Sequence, residues 1–404
     1  MKIAIIGAGA AGCFAAANMH VSSDDEIVIF EKTGKSLQKV KVSGGGRCNI
    51  THACYEVPTL IEKYPRGKQL LKKTFYQFGP KDTIDWFESR GVQIKEEVDG
   101  RMFPITDNSE SIINCLMKEL EKKKINIEYH KGVKKIENKN DQFEISFSDK
   151  TNFVADKILI ACGGFSKPEQ YKWLIETGHS IEEPVPSLFT FNMLGNPITE
   201  LMGVVVPDAI VKISGTKINS TGPLLITHWG MSGPAILRTS AWAARELAIK
   251  NYEFAILVNW LNGKTENKLR DQISGIRQSI GKQLVVNKNP FNLPKRFWEF
   301  QLWKLKVDPN VKWGEFSAKD QNRLVEALIN DRYEVKGKTT FKEEFVTCGG
   351  INLNEVDPAT MESRILRGIF FAGEILDVDG ITGGFNFQHA WASGFIAAKG
   401  MGVI

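Results

Sequence analysis

Hydrophobic and polar positions change rhythm several times along this chain, and each change predicts an element. Four apolar residues, Ile3 to Ile6, run unbroken into Gly7, and no charged side chain follows until Asp24. A run that is apolar on both faces predicts a buried parallel strand, and the Ala-rich stretch from Ala10 to Met19 predicts a helix. Glu26 to Phe30 (EIVIF) repeats the first pattern and predicts a second strand. Residues 66–90 and 109–123 carry helical spacing, with Trp86 and Phe87 on the buried face of the first and positions 112, 113, 116 and 120 on that of the second. After a strand-like Ile125 to Tyr129 the period drops to two, Phe143, Ile145 and Phe147 alternating with Glu144, Ser146 and Ser148. That alternation predicts a half-buried antiparallel meander over 133–136, 143–147 and 151–154. Lys157 to Ala161 returns to the unbroken apolar run and ends on Cys162-Gly163-Gly164.

Beyond this point the pattern changes character. Pro184 and Pro186, two residues apart, break regular structure and mark a boundary. From Phe189 to about Val258, short apolar runs alternate with Gly, Pro and Asn turns, which predicts a small β-barrel or sandwich. Asn262 to about Arg332 reads as polar and basic helices, with Trp298, Phe300, Trp303 and Leu305 marking one packed side. The chain then turns Gly-rich and apolar again. Gly368 to Gly373 (GIFFAG) predicts a buried strand, followed by a Gly383-Gly384 turn and an Ala- and Gly-rich helix to about Ala398.

Composition narrows the class. The 404 residues are 42% hydrophobic and 25% charged, with a net charge of +5, a balance that fits a globular enzyme of two or three domains. The basic runs at Lys122-Lys123-Lys124 and Lys134-Lys135 lack interleaved aromatics, so solvated faces rather than a nucleic-acid groove are expected. No apolar stretch approaches the roughly 20 residues that span a bilayer, and a cytosolic location is expected. Six cysteines occur without a CxxC pair, which points to reduced thiols and to neither a disulfide frame nor a metal site. Cys48 beside Arg47 reads as small apolar filler.

The chemistry begins at the first turn. Gly7-Ala8-Gly9-Ala10-Ala11-Gly12 joins the first strand to the first helix, and Glu31 stands nineteen residues after Gly12, at the end of the second strand. Gly7 permits the tight turn, Gly9 lets a pyrophosphate approach the backbone, and Gly12 lets helix and strand pack closely. The helix directs its free N–H groups and positive end at the phosphates. Glu31 accepts ribose hydroxyls and repels a 2′-phosphate, so FAD or NAD fits this site and NADP does not. Ser43-Gly44-Gly45-Gly46-Arg47-Cys48-Asn49 reads as a loop that wraps an anion with backbone N–H groups and a guanidinium. The Gly383-Gly384 turn supplies a second set of helix N–H groups, placed to face the edge of a flavin ring where negative charge accumulates on reduction.

These residues carry a family resemblance. GAGAAG at 7–12, SGGGRCN at 43–49, GRMFP at 100–104, THWGMSGPAIL at 227–237, CGGINLNEVDPATMES at 348–363 and FAGEILDVDGITGGFN at 371–386 resemble the HI0933-like flavoproteins, also labelled aminoacetone-oxidase-like, of the two-dinucleotide-binding superfamily. The resemblance implies an α/β fold: a Rossmann-like, three-layer FAD/NAD(P)-binding domain with an inserted β-barrel domain that itself carries a helical insert. The corresponding divisions are residues 1–185 and 346–404 for the FAD domain, 186–262 and a return strand at 336–345 for the barrel, and 263–335 for the helical insert. The resemblance further implies contacts to FAD at Gly7, Gly9, Ala11, Gly12, Glu31, Lys32, Ser43, Arg47, Asn49, Val133, Gly164, Glu374, Gly384, Phe385 and Asn386. One stretch departs from the family: a Gly/Thr/Asp-rich segment usually follows the A-x-G-G, whereas here Phe165-Ser166-Lys167-Pro168-Glu169 runs into a helix.

The function expected is that of an FAD-dependent oxidoreductase with non-covalent FAD. NAD(P)H docks transiently as donor, because the sequence holds no second complete GxGxxG unit. The leading expectation is reduction of a small organic substrate by hydride transfer through flavin N5. The substrate lies between the flavin domain and the barrel, with no nucleic-acid or membrane partner. Thr227-His228-Trp229-Gly230 is the candidate substrate-side wall, and His228 the candidate proton donor because imidazole titrates near neutrality. The alternatives are a flavin amine oxidase using oxygen and an FAD-binding sensor without turnover; a flavin-dependent tRNA modifier shares the opening motif, but the lack of an aromatic-basic patch and the TMES and GEILDVDG blocks speak against it.

Overall fold

The computed structural model describes residues 1–339 and 346–403. It divides into two compact units, Met1–Ser187 with Phe341–Ile404, and Leu188–Thr340. Among the described residues no helix is long and apolar enough to cross a membrane.

The first unit is organised by five parallel strands in the order Ile369–Phe371, Lys157–Ile160, Lys2–Ile6, Glu26–Phe30, Asn126–Glu128. The unbroken apolar runs are the central strands, as expected for strands covered on both faces. The first strand of the sequence lies at the centre and the last at an edge, so the two ends of the chain build one sheet. The helix Ala10–Asn18 packs against the C-terminal helix Phe385–Gly400, close enough that a β-carbon on Gly394 would stand 2.7 Å from the Ala11 carbonyl oxygen. The meander Val133–Lys139, Gln142–Phe147, Asn152–Ala155 forms the third layer, its Phe147 ring 4.6 Å from that of Phe30.

Two readings of local sequence need correction here. Residues 66–90 form two helices, Lys68–Phe75 and Pro80–Glu88, because Pro80 starts a new one and Asp82 accepts the Gly79 N–H at 2.7 Å. Pro184 and Pro186 do not interrupt structure: they lie in the strand Ile181–Pro186, paired antiparallel with Thr347–Ile351. A two-stranded ladder with a register shift between Glu182 and Val185 tolerates residues that lack an N–H. The crossing into the second unit comes directly afterwards.

The second unit is built on an antiparallel sheet whose order runs from Asp331–Lys336 through Glu253–Asn259, Val205–Ile213, Asn219–Thr227, Gly230–Ser232 and Thr190–Asn192 to Lys338–Thr339. The two ends of that order are halves of one stretch bent at Gly337. The first half pairs with Glu253–Asn259 and the second with Thr190–Asn192, so the sheet closes on itself as a barrel. Of the return strand expected at 336–345, residues 340–345 lie outside the described residues.

Three helices, Glu266–Ile280, Lys295–Lys304 and Ala318–Ile329, make up the helical segment. It ends at Asn330 rather than at 335, because Asp331–Lys336 alternates buried and exposed positions and belongs to the barrel. A further helix, Pro234–Ile249, lies within the stretch expected to be all strand and turn. Barrel and helices share one core: the rings of Trp260 and Phe297 are 4.4 Å apart. Buried Asp331 accepts hydrogen bonds from Trp260 Nε1 at 3.1 Å and Gln301 Nε2 at 3.0 Å, takes another from the Tyr333 hydroxyl, and pairs with Lys304.

Candidate functional site

The carboxyl ends of the parallel strands carry the first half of the site, where ligands of open α/β sheets bind. Gly7 follows the central strand. A β-carbon there would stand 2.5 Å from the Ala161 carbonyl oxygen, and one on Gly12 would stand 2.1 Å from the Gly7 carbonyl oxygen. Both glycines are therefore required by the protein itself. Gly9 differs: a β-carbon on it would have nothing within 4 Å. The one glycine of the turn with open space above it is the one the motif assigns to close approach of a pyrophosphate.

Glu31, at the end of the neighbouring strand, folds back over this turn. Its Oε2 accepts the Ala8 N–H at 3.0 Å, and its Oε1 accepts the Thr33 N–H at 2.8 Å and the Thr33 hydroxyl at 2.9 Å. Lys32 stands with its ammonium 5.0 Å over the Phe165 ring. Val133 opens the first meander strand one residue after Gly132, where a β-carbon would sit 3.7 Å from Lys32 Cβ. On the other side, Glu374 accepts the Thr347 N–H at 2.9 Å and pairs with Lys39 at 2.5 Å. Gly164 lies against the same two residues, a β-carbon there coming within 2.5 Å of Thr347 Oγ1 and 3.3 Å of Glu374 Cγ. The Thr347 hydroxyl oxygen is buried without a hydrogen-bond partner among the described residues. An orphaned hydroxyl beside Gly164 and Glu374, together with the space over Gly9, fits a polar ligand along these strand ends.

The second half of the site joins residues more than three hundred positions apart. Gly44, Gly45 and Gly46 all take left-handed backbone angles, φ +57°, +68° and +83°, so the triple glycine bends the chain sharply before Asn49. Asn49 accepts the Met102 N–H at 3.2 Å. Gly384, at φ +90°, caps the C-terminal helix directly against Asn49 and Thr51. Phe385 stacks on His52 at 4.8 Å and its carbonyl accepts the Tyr64 hydroxyl at 2.7 Å. Asn386 exchanges two hydrogen bonds with Gly380, at 2.8 and 3.0 Å, holding the preceding loop. The free N–H groups of this helix start are thereby fixed in direction by both segments. Ser43 donates its hydroxyl to the Val40 carbonyl at 2.9 Å, and Ala11 is buried beneath Gly373.

Two further expected residues have contacts of their own. Arg47 is engaged by Glu97 at 2.6 Å and Asp107 at 3.5 Å and lies 4.1 Å over the Phe103 ring. Arg101 shares Glu97 at 2.9 Å and also pairs with Asp99. His228 belongs to the second unit, exposed at a hairpin tip with its ring 3.9 Å from that of Trp229. Cys48 is buried and its thiol is pushed up to about 12 by that burial, consistent with filler rather than a nucleophile.

Sequence reasoning missed a buried cluster in the loop before the Gly383-Gly384 turn. Asp379 is fully buried, paired with Arg66 and hydrogen-bonded by the Ser187 hydroxyl; burial raises its carboxyl above the usual range, opposed by Arg66. An acid inside the apolar run of GEILDVDG was the available signal. His389 is buried in the last helix and shares Nε2 with the Gly373 carbonyl at 3.1 Å; burial lowers it to about 4, so it stays neutral.

With the geometry in hand, comparison with known proteins gives three findings. A family model described as "HI0933-like protein Rossmann domain" matches residues 1–400. The ribosomal RNA dihydrouridine synthase of Escherichia coli (strain K12) is 31% identical over 407 residues, covering 98% of this chain and 96% of that protein; the 3-dehydro-bile acid delta(4,6)-reductase of Clostridium scindens is 27% identical over 411 residues, covering 98% of each. Among solved structures, the open conformation of a flavocytochrome c3 fumarate reductase aligns with a TM-score of 0.50 at 14% identity, over 99% of this chain and 78% of that one, a likeness of fold.

Proposed function

The chain belongs to the HI0933-like family of FAD-binding oxidoreductases, and within it we propose a reductase of a carbon–carbon double bond conjugated to a carbonyl, with a uracil ring of ribosomal RNA as substrate. The carrying observation is the end-to-end identity of 31% with a ribosomal RNA dihydrouridine synthase. The bile acid relative points to the same bond change on a different molecule, since its name also describes saturation of double bonds. This reading keeps the reaction expected from the sequence and replaces a free small-molecule substrate with a base in RNA.

When bound and reduced, FAD would supply hydride chemistry to the carbon β to the carbonyl. The residues of this chain do the rest. Gly9 and the N-terminal N–H groups of Ala10–Asn18 receive the pyrophosphate, and Glu31 the ribose hydroxyls. The helix start at Gly384 to Asn386 orients N–H groups toward charge that builds on the ring system. A proton must reach the carbon α to the carbonyl, and His228 is the proposed donor. NADH or NADPH is the proposed source of the two electrons that would reduce the flavin.

Nucleoside mass spectrometry tests this. Ribosomal RNA from cells lacking the gene should lose a dihydrouridine, and incubation of that RNA with purified holoprotein and NADH or NADPH should restore it. Ribosomal RNA unaltered by deletion, with conversion of a steroid-type enone by the same protein, favours the small-molecule reading instead. Hydrogen peroxide produced from an amine, without flavin bleaching by either nicotinamide, would replace it with an oxidase.

A further inference from the structure

The helix Lys295–Lys304 does not bury every aromatic residue read as its packed side. Trp298 and Leu305 are buried, but Trp303 on the same helix is 63% exposed. It stands at a concavity of about 550 Å³ lined by Val286, Leu302, Val307, Pro309 and Lys306. Two carboxylates also line this hollow, and both are engaged: Glu299 faces Lys295 at 3.8 Å, and Asp308 accepts the Asn310 N–H at 2.9 Å.

Charge is concentrated in the same segment. Residues 263–330 contain thirteen Lys and Arg against seven Asp and Glu, a net +6, while the whole chain carries +5. The positive excess of this protein is therefore local. Lys268, Lys282, Lys288, Lys306 and Lys319 are exposed and form no ion pair among the described residues. The stretch from Lys295 to Lys306, the helix and the two residues after it, reads KRFWEFQLWKLK, an interleaving of basic and aromatic residues that the lysine runs elsewhere lack.

We propose that residues 263–330 form an RNA-docking surface in which Trp303 stacks an unpaired base at the mouth of the hollow while Lys306 and the other exposed lysines of the segment neutralise phosphates. The inference rests on ribosomal RNA being the substrate and names the part of the chain that holds it. A base offers a flat π-face to an exposed indole, and a phosphate chain offers charge to exposed ammonium groups. A small neutral enone would use neither.

The experiment measures holoprotein binding to labelled transcripts tiling ribosomal RNA, by fluorescence anisotropy across a salt series. Trp303→Ala should weaken the tightest complex about tenfold, within the range base stacking spans, and Trp303→Phe should recover most of it. Lys306→Glu combined with Lys282→Glu should flatten the salt dependence of binding. Flavin content, circular dichroism and bleaching by NAD(P)H should match the parent protein in every variant. If wild-type protein makes dihydrouridine in RNA while these variants bind and react as well as it does, the docking surface is overturned and the function stands. If the wild-type protein neither binds nor alters RNA, the functional reading fails and takes this inference with it.

Discussion

Gly384 leaves no space between the start of the C-terminal helix and Asn49. A β-carbon on it would stand 2.8 Å from Asn49 Oδ1 and 2.5 Å from the Thr51 carbonyl oxygen. Crowding from a side chain would thus fall first on protein backbone, before any effect on a bound ring. Gly384→Ala also forces a left-handed angle on a residue with a β-carbon. Together these should cost the flavin-free protein about 2–4 kcal/mol, read by urea unfolding of stripped protein. Unchanged stability, with only flavin lost, would assign the glycine to the ligand alone.

The first turn allows a sharper separation of fold from cofactor. Gly9→Ala meets open space, so its flavin-free melting temperature should equal that of the parent while FAD affinity falls about tenfold or more. Gly12→Ala drives a methyl into the Gly7 carbonyl and should destabilise the chain whether or not FAD is present. Thermal melts paired with FAD titration decide both, and a Gly9→Ala protein with full affinity would remove the pyrophosphate from this turn.

His389 predicts a pH dependence. In the folded protein burial holds its imidazole at about 4, whereas in the unfolded chain it takes a proton near 6.5. Between these values the unfolded chain binds more protons, so this residue lowers stability as pH falls from about 6.5, levelling below about 4, by roughly 3 kcal/mol in all. The difference in unfolding free energy between wild type and His389→Asn, followed from pH 7.5 to 4, should show that slope. A constant difference across the range would mean the imidazole is not held neutral.

What was legible in the sequence was local. The buried strands and the glycine turn could be read because unbroken apolar runs, glycine spacing and a terminal carboxylate all lie within about thirty residues, Ile3 to Glu31. The helix Pro234–Ile249 escaped because its buried face includes Thr239, Ser240, Ala243 and Ala244, small or hydroxylated residues that give little hydropathic contrast. The partners of Arg47 lie fifty and sixty residues away, and no spacing rule links a loop arginine to Glu97 and Asp107. Trp303 shows the cost of a misread face: five residues beyond Trp298 it lies about 140° round the helix, beside Phe300 at 5.6 Å and away from the buried Trp298, Leu302 and Leu305.

Asp331 ties the helices to the barrel. Asp331→Ala would strand the buried Trp260, Gln301 and Tyr333 donors and leave Lys304 uncompensated, at about 3–5 kcal/mol. The melting transition should fall sharply, and Asp331→Asn should lose less. For the same reason, excising residues 263–335 removes both a shared core and the strand that closes the barrel, so such a deletion should not leave a folded second unit; a cooperative melt of that unit would show otherwise.

His228→Asn should separate the two half-reactions. Bleaching of the flavin by NAD(P)H should proceed at the parent rate, while turnover on substrate drops by about a hundredfold, the lower range of general acid catalysis. Stopped-flow absorbance of each half-reaction measures this, and equal turnover would assign the proton to another group.

The order of strands in the parallel sheet sets a timetable for biosynthesis. Lys157–Ile160 pairs with Ile369–Phe371, which leaves the ribosome about 210 residues later, a wait of roughly 10–40 s at ordinary elongation rates. Throughout that interval the entire second unit emerges and can close, since all its paired strands lie within 190–339. The nucleotide-binding sheet meanwhile keeps an apolar edge open. The barrel is thus the early-maturing part of the nascent chain and the flavin site the late one, so chaperone protection during translation should be needed most at the unfinished edge of Lys157–Ile160.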